Sequence, residues 1–141
     1  MTATHDIQGD LISITIGSVF NCRLFRENET AFCWGDEIGS GVISLIPKNL
    51  RFRTISAGVF HVCGVLMASA SKVLCWGRSL SLDDGKMDSI PTDSMISIVG
   101  GWCHSCVIRA REKAPLFLQN IRVLALAAGD YFTCGVLASA T

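Results

Sequence analysis

The sequence predicts an all-β fold assembled from repeated units of short antiparallel strands, and three observations carry that prediction. Short runs rich in Ile, Val, Leu and Phe alternate with Gly, Ser and Asn clusters, and none sustains the i, i+3, i+4, i+7 stripe of an amphipathic helix. A glycine stands five residues before a cysteine four times: Gly17 and Cys22, Gly58 and Cys63, Gly101 and Cys106, Gly129 and Cys134. The spacing from Cys22 to Cys63 is 41 residues and from Cys63 to Cys106 is 43, the period of a multi-stranded repeat.

Composition agrees with a chain that buries surface. Of 141 residues, 50% are apolar and only 17% charged, against a usual charged share of about 25%, which excludes disorder and a highly charged coiled coil. Twelve basic residues balance twelve acidic ones, so the broad positive footprint of a nucleic-acid binder is missing.

Taken in order, residues 1–10 read as an irregular segment. MTATHDIQGD has no basic n-region and places aspartates where a secretory leader has its apolar stretch. No run of eighteen apolar residues follows, so membrane insertion is not expected, and the chain as written is expected to be cytoplasmic. The repeat region covers 11–141. A first unit, near 11–46, contains LISITI before Gly17, RLF after Cys22, and AFCWG ending at Gly35. A second, near 47–90, repeats the plan with FRTISA, GVL, and VLCWG ending at Gly77. Its Asp83-Asp84-Gly85-Lys86 cluster reads as an exposed loop without the ligand series of an EF-hand.

A third unit, near 91–114, has MISIVG and VIR, but only 9 residues separate Cys106 from Pro115, where the earlier units use 25 and 28 between cysteine and proline. The stretch that should hold its CWG strand is missing. A fourth unit, near 115–141, has VLALAA and GVL and stops at Thr141 before a CWG. Pro47, Pro91 and Pro115 fall in register upstream of Gly58, Gly101 and Gly129. Three or four strands per unit at a period of 40 to 45 residues is the spacing of propeller blades, about three and a half of them here. The repeated glycine is expected where two strands meet, at a bulge, a positive-φ turn or a close backbone approach.

The string GVFHVCGVL from Gly58, followed by VLCWG ending at Gly77, resembles the repeat of RCC1-like propellers. With a cysteine on both strands it is similar to the extracellular repeats of plant CRINKLY4-type receptor-like serine/threonine kinases. The similarity runs from about Leu11 to Ala138. His61 and His104 hold the family's histidine position, and Phe20 and Phe132 replace it in the outer units. The resemblance implies a piece of a receptor ectodomain, on the outer face of the plasma membrane in the full-length family, with an unknown peptide or protein as ligand. The family's kinase domain is not in this chain: no VAIK-like lysine, HRD or DFG occurs, nor a Walker loop or a Gly-x-Ser-x-Gly elbow. No cofactor is implied. A ring of usual size needs more blades, so open blade edges and self-association are expected.

The cysteines hold most of the chemistry. Cys22 and Cys33 are symmetric about a hairpin centred near Asn28, and Cys63 and Cys75 about Ser69, so each pair falls opposite in an antiparallel ladder. An oxidising compartment favours two disulfides, and the cytosol favours buried free thiols. Cys106 and Cys134 lack the corresponding partners, and Cys103 is an extra thiol at a core position.

Cys103, His104 and Cys106 could start a zinc site, but no second cluster completes four ligands. A Cys63 nucleophile activated by His61 has no third group to orient the base, so a structural histidine bonded to the backbone is the better reading. Trp34 and Trp76, each before a glycine, are expected to pack within blades, the indole N–H meeting a carbonyl. Asn28-Glu29-Thr30 is an N-glycosylation sequon at a hairpin tip. Two other classes stay open: an intracellular RCC1-like interaction module with reduced thiols, and an enzyme with a cysteine nucleophile.

Overall fold

The computed structural model describes residues 11–36, 41–67, 72–77, 95–102, 104–109 and 122–138. These form ten short strands: β1 (Leu11–Ile16), β2 (Phe20–Phe25), β3 (Ala31–Gly35), β4 (Phe52–Ala57), β5 (His61–Leu66), β6 (Val73–Gly77), β7 (Met95–Gly100), β8 (Ser105–Arg109), β9 (Arg122–Ala128) and β10 (Thr133–Ala138). They pair antiparallel in four small sheets, β1-β2-β3, β4-β5-β6, β7-β8 and β9-β10. The first two units have three strands each. Among the described residues the third and fourth have two, the CWG strand being the one they lack.

Each sheet opens with the same irregularity. Pairing skips one residue in every first strand: Ile12, Arg53, Ile96 and Leu124, each five positions before the repeat glycine. A one-residue bulge shifts the alternation of faces, so residues three apart can share a face. Phe52 and Ile55 are accordingly both buried, as are Met95 and Ile98. Past the bulge, strict alternation returns. In β2, Phe20, Cys22 and Leu24 are buried while Asn21, Arg23 and Phe25 are half-buried, the period-two signature of a strand.

The repeat glycines do not adopt positive φ; among the described glycines that conformation belongs to Gly41 and to Gly35 and Gly77, the last two at the ends of the CWG strands. Gly17, Gly58, Gly101 and Gly129 close two-residue hairpin turns instead, each donating its N–H to the carbonyl of the residue three further on, at 2.8 to 2.9 Å. Room is what these positions require. A Cβ on Gly58 would lie 2.3 Å from His61 Cε1 and 2.4 Å from the Gly101 carbonyl oxygen, and one on Gly17 would lie 2.3 Å from the Phe20 ring.

The first strands lie side by side, β1 against β4, β4 against β7 and β7 against β9. Two hydroxyls tie them across the sheets, at the position two before the glycine. Thr15 Oγ1 accepts the Ala57 N–H at 2.8 Å, and Ser56 Oγ accepts the Gly100 N–H at 3.0 Å. The third unit has Val99 there, which offers no acceptor.

Burial follows the seams. Phe20, Cys22, Leu24 and Cys33 of the first sheet meet Phe52, Ile55, Ala57, Val62 and Trp76 of the second, with Val42 from the connecting segment. Cys63, Val65 and Val73 meet Met95 and Ile98 in a smaller cluster between the second and third sheets. Strand β5 is therefore buried on both faces. Each fully buried side chain of this kind contributes roughly 1.5–3 kcal/mol.

The outer faces are different. Ile14 is 52% exposed, whereas its counterparts Ile55 and Ile98 are 3% exposed. At the far end Val136 is 59% exposed, against 0% for its counterparts Leu24 and Val65 and a half-buried Ile108 in the third unit.

Candidate functional site

The four hairpin turns converge on one cleft of about 540 Å³, lined by Gly17, Gly58, Gly101 and Gly129 with the residues that flank them. The next position in each turn is Ser18, Val59, Trp102 and Asp130. Backbone bonds join the turns in pairs: the Ser18 N–H donates to the Val59 carbonyl and the Trp102 N–H to the Asp130 carbonyl, both at 3.2 Å. Trp102 stacks on Tyr131 with ring centroids 5.5 Å apart. The lining is mostly backbone and apolar side chain, with one hydroxyl and one carboxylate, a composition suited to binding.

Behind the glycines runs a line of contacts between units. His61 Nε2 lies 2.9 Å from Ser105 Oγ, and His104 Nε2 lies 3.1 Å from Thr133 Oγ1. In each case the histidine follows its repeat glycine by three and its partner follows the next unit's glycine by four. At the corresponding place in the first seam stand two apolar residues, Phe20 and Val62, both in the buried cluster. The expected imidazole bond to backbone is thus corrected: the partner is a hydroxyl of the neighbouring sheet. Burial holds the His61 pKa below the ordinary histidine value, with the nearby His104 acting in the same direction.

Cys22 and Cys33 are register partners joined by a disulfide, Cα atoms 4.1 Å apart, and Cys63 and Cys75 likewise at 4.0 Å. With its sulfur bonded to Cys75, Cys63 cannot serve as a nucleophile for His61, which removes that enzymatic reading. Cys106 is half-buried and free, its Sγ 3.2 Å from Thr133 Oγ1, and Cys134 is exposed and free. Cys103 and the 83–86 cluster lie outside the described residues. No group of three or more His, Cys, Asp or Glu gathers around a metal position among the described residues. No described helix is long and apolar enough to cross a membrane.

The tryptophans part company. Trp76 is buried in the first seam with its ring 5.5 Å from Phe52, and its Nε1 meets no partner among the described residues, where a carbonyl was expected. Trp34 lies on the outer face of the first sheet, half-buried, 6.1 Å from Phe32. Arg23 joins it there, its guanidinium 4.3 Å from the centroid of Phe25 and 5.0 Å from that of Phe32. The arginine cluster was not legible in the repeat, because its equivalent in the second unit is Gly64. Ser105 and Thr133 could have been found, since both directly follow the repeat's histidine position.

Two disulfides bridging register partners on small antiparallel sheets set side by side define a disulfide-bridged β-repeat module. No family model matches the chain. Solved structures do. The CRINKLY WD40 ectodomain of the Arabidopsis thaliana receptor kinase ACR4 is 41% identical, over 92% of this chain and 47% of that one, with a TM-score of 0.76. The entire ectodomain of the Physcomitrella patens receptor kinase CR4 is 45% identical, over 93% of this chain and 37% of that one, with a TM-score of 0.74. The chain thus resembles CRINKLY4-type ectodomains and spans about half the length of the first and just over a third of the second. The expectation of a cytoplasmic chain finds no support: the similar structures are ectodomains, and two disulfides fit an oxidising compartment.

Proposed function

We propose that this chain is part of an RCC1-like propeller in the extracellular region of a CRINKLY4-type receptor. Its units near 11–46, 47–90, 91–114 and 115–141 are then blades that recognise a peptide or protein ligand without chemistry of their own. The observation that carries this reading is the recurrent contact between units, in which position three of one turn meets position four of the next as His61 with Ser105 and His104 with Thr133. A contact repeated from seam to seam stacks units in one rotational sense, as blades require. Exposed Ile14 and Val136, at positions that are buried within the stack, support further units or a second copy against the two end faces.

Ligand recognition falls to the glycine cleft, where loops on a rigid scaffold present Trp102 and Asp130. The secreted chain, immobilised and panned against a phage-displayed random peptide library, tests it. Enriched peptides should lose binding with Trp102→Ala or Asp130→Lys and keep it with Glu27→Ala at the far hairpin tip. Enrichment indifferent to the cleft substitutions would sink the reading.

A further inference from the structure

We propose that Asn28 carries an N-linked glycan and that the β2–β3 hairpin is shaped to hold it clear of the fold. The inference rests on the extracellular reading above. Asn28-Glu29-Thr30 is the one Asn-x-Ser/Thr sequon in the chain. Asn28 is exposed. Both bonds of its side chain end on the same atom: Oδ1 accepts the Thr30 N–H at 3.1 Å and the Thr30 hydroxyl at 2.8 Å. Nδ2, the atom that would be glycosylated, makes no hydrogen bond within the described residues, so its substitution breaks nothing.

The tip is anchored by its neighbour instead. Glu29 takes φ of 54° and donates its N–H to the Phe25 carbonyl at 2.9 Å. Its own carbonyl accepts the Phe52 N–H at 2.8 Å, and its carboxylate pairs with the Arg51 guanidinium. The middle residue of the sequon thereby docks the hairpin onto the start of β4 while the asparagine stays in solvent. Register places the modification away from the cleft. Leu24 pairs with Ala31 at the tip end of the sheet and Phe20 with Gly35 at the Gly17 end, so the strand length separates a glycan at Asn28 from the cleft.

The covalent step balances simply. Nδ2 attacks C1 of a sugar held on a lipid-linked pyrophosphate donor by a glycosyltransferase. The C1–N bond forms, the C1–O bond breaks with its electron pair leaving on the pyrophosphate, and one Nδ2 proton passes to a base of the transferase.

The full 141-residue chain, placed behind a cleavable secretion leader in yeast, tests this by peptide mass mapping of medium and cell pellet with and without an N-glycosidase. The expected result is an occupied Asn28, with occupancy lost in Asn28→Gln and Thr30→Ala and kept in Thr30→Ser. The glycosylated and enzymatically deglycosylated proteins should share one thermal midpoint; a lower midpoint for the glycosylated form would overturn the claim that the hairpin accommodates the sugar. An unmodified Asn28 in a chain whose two disulfides have formed would overturn the glycan alone. Reduced Cys22, Cys33, Cys63 and Cys75 in the secreted chain would instead count against the extracellular reading.

Discussion

His61 and Ser105 stand 44 positions apart in the chain and meet across two sheets, Nε2 to Oγ at 2.9 Å. The burial of His61 at this seam makes stability depend on pH. His61 is buried, and desolvation first, then His104, lowers its pKa in the folded state. Below the unfolded value of about 6.5 the unfolded chain takes up a proton that the folded chain resists, so the stability present above that pH is lost as pH falls through it. Urea unfolding followed at pH 7.5 and pH 5.5 should show the lower midpoint at pH 5.5. An equal midpoint in wild type would refute the assignment.

The first seam suggests how to remove that dependence. Phe20 and Val62 occupy there the places of His61 and Ser105. His61→Phe alone takes one of two partners from the half-buried Ser105 hydroxyl, which also donates to Cys63 Sγ at 3.5 Å, at a cost of about 1 kcal/mol. Adding Ser105→Val should recover much of that loss, and a double-mutant cycle should give a coupling of roughly 0.5–3 kcal/mol. Additivity of the two substitutions would mean that the residues do not act as a pair.

Glycine positions should rank by what stands over them. Gly58→Ala sets a methyl against the Gly101 carbonyl as well as His61, and backbone cannot swing aside, so a loss of about 1–3 kcal/mol is expected. Gly129→Ala meets only the Phe132 ring, at 2.8 Å, and that ring is exposed and free to turn. Its cost should be well under that of Gly58→Ala in chemical denaturation, and the reverse order would contradict the packing described.

The disulfides should dominate local stability. Replacing Cys22 and Cys33 together with Ala removes a covalent closure worth about 3 kcal/mol in the chain-entropy account. The same denaturation experiment reads it. In the folded protein, Cys134 should alkylate fastest of the described thiols, with half-buried Cys106 slower. Rapid labelling of Cys22 or Cys63 would show the bridges absent.

Exposed end faces predict association. Ile14→Ser and Val136→Ser change side chains that are mostly in solvent, so stability should move by less than about 0.5 kcal/mol. Light scattering after size exclusion should show less oligomer for the double variant than for wild type. An unchanged oligomer distribution would move the association surface elsewhere.

Much of this architecture was legible because the repeat supplies its own comparison. The glycine and cysteine spacing located the strands, and the symmetry of Cys22 with Cys33 about Asn28 located a ladder position that the structure fills with a bridge. What escaped were properties owned by two units at once. FRTISA gives no sign that Arg53 is a bulge, because the shift of face shows only when Phe52 and Ile55 are seen buried together. Trp34 and Trp76 share a motif and differ in fate because only Trp76 has a sheet packed in front of it. The histidine partners lie in the next unit, where spacing within one unit has no reach.

The two buried clusters are unequal, ten residues at the first seam and five at the second, while the described side chains of β10 contribute none. Units held only by their neighbours lose order from the least supported end. Amide protons of β5, covered on both faces, should therefore exchange last and those of β10 first, so that the molecule opens like a zip from its C-terminal hairpin toward the seam of β2 and β4.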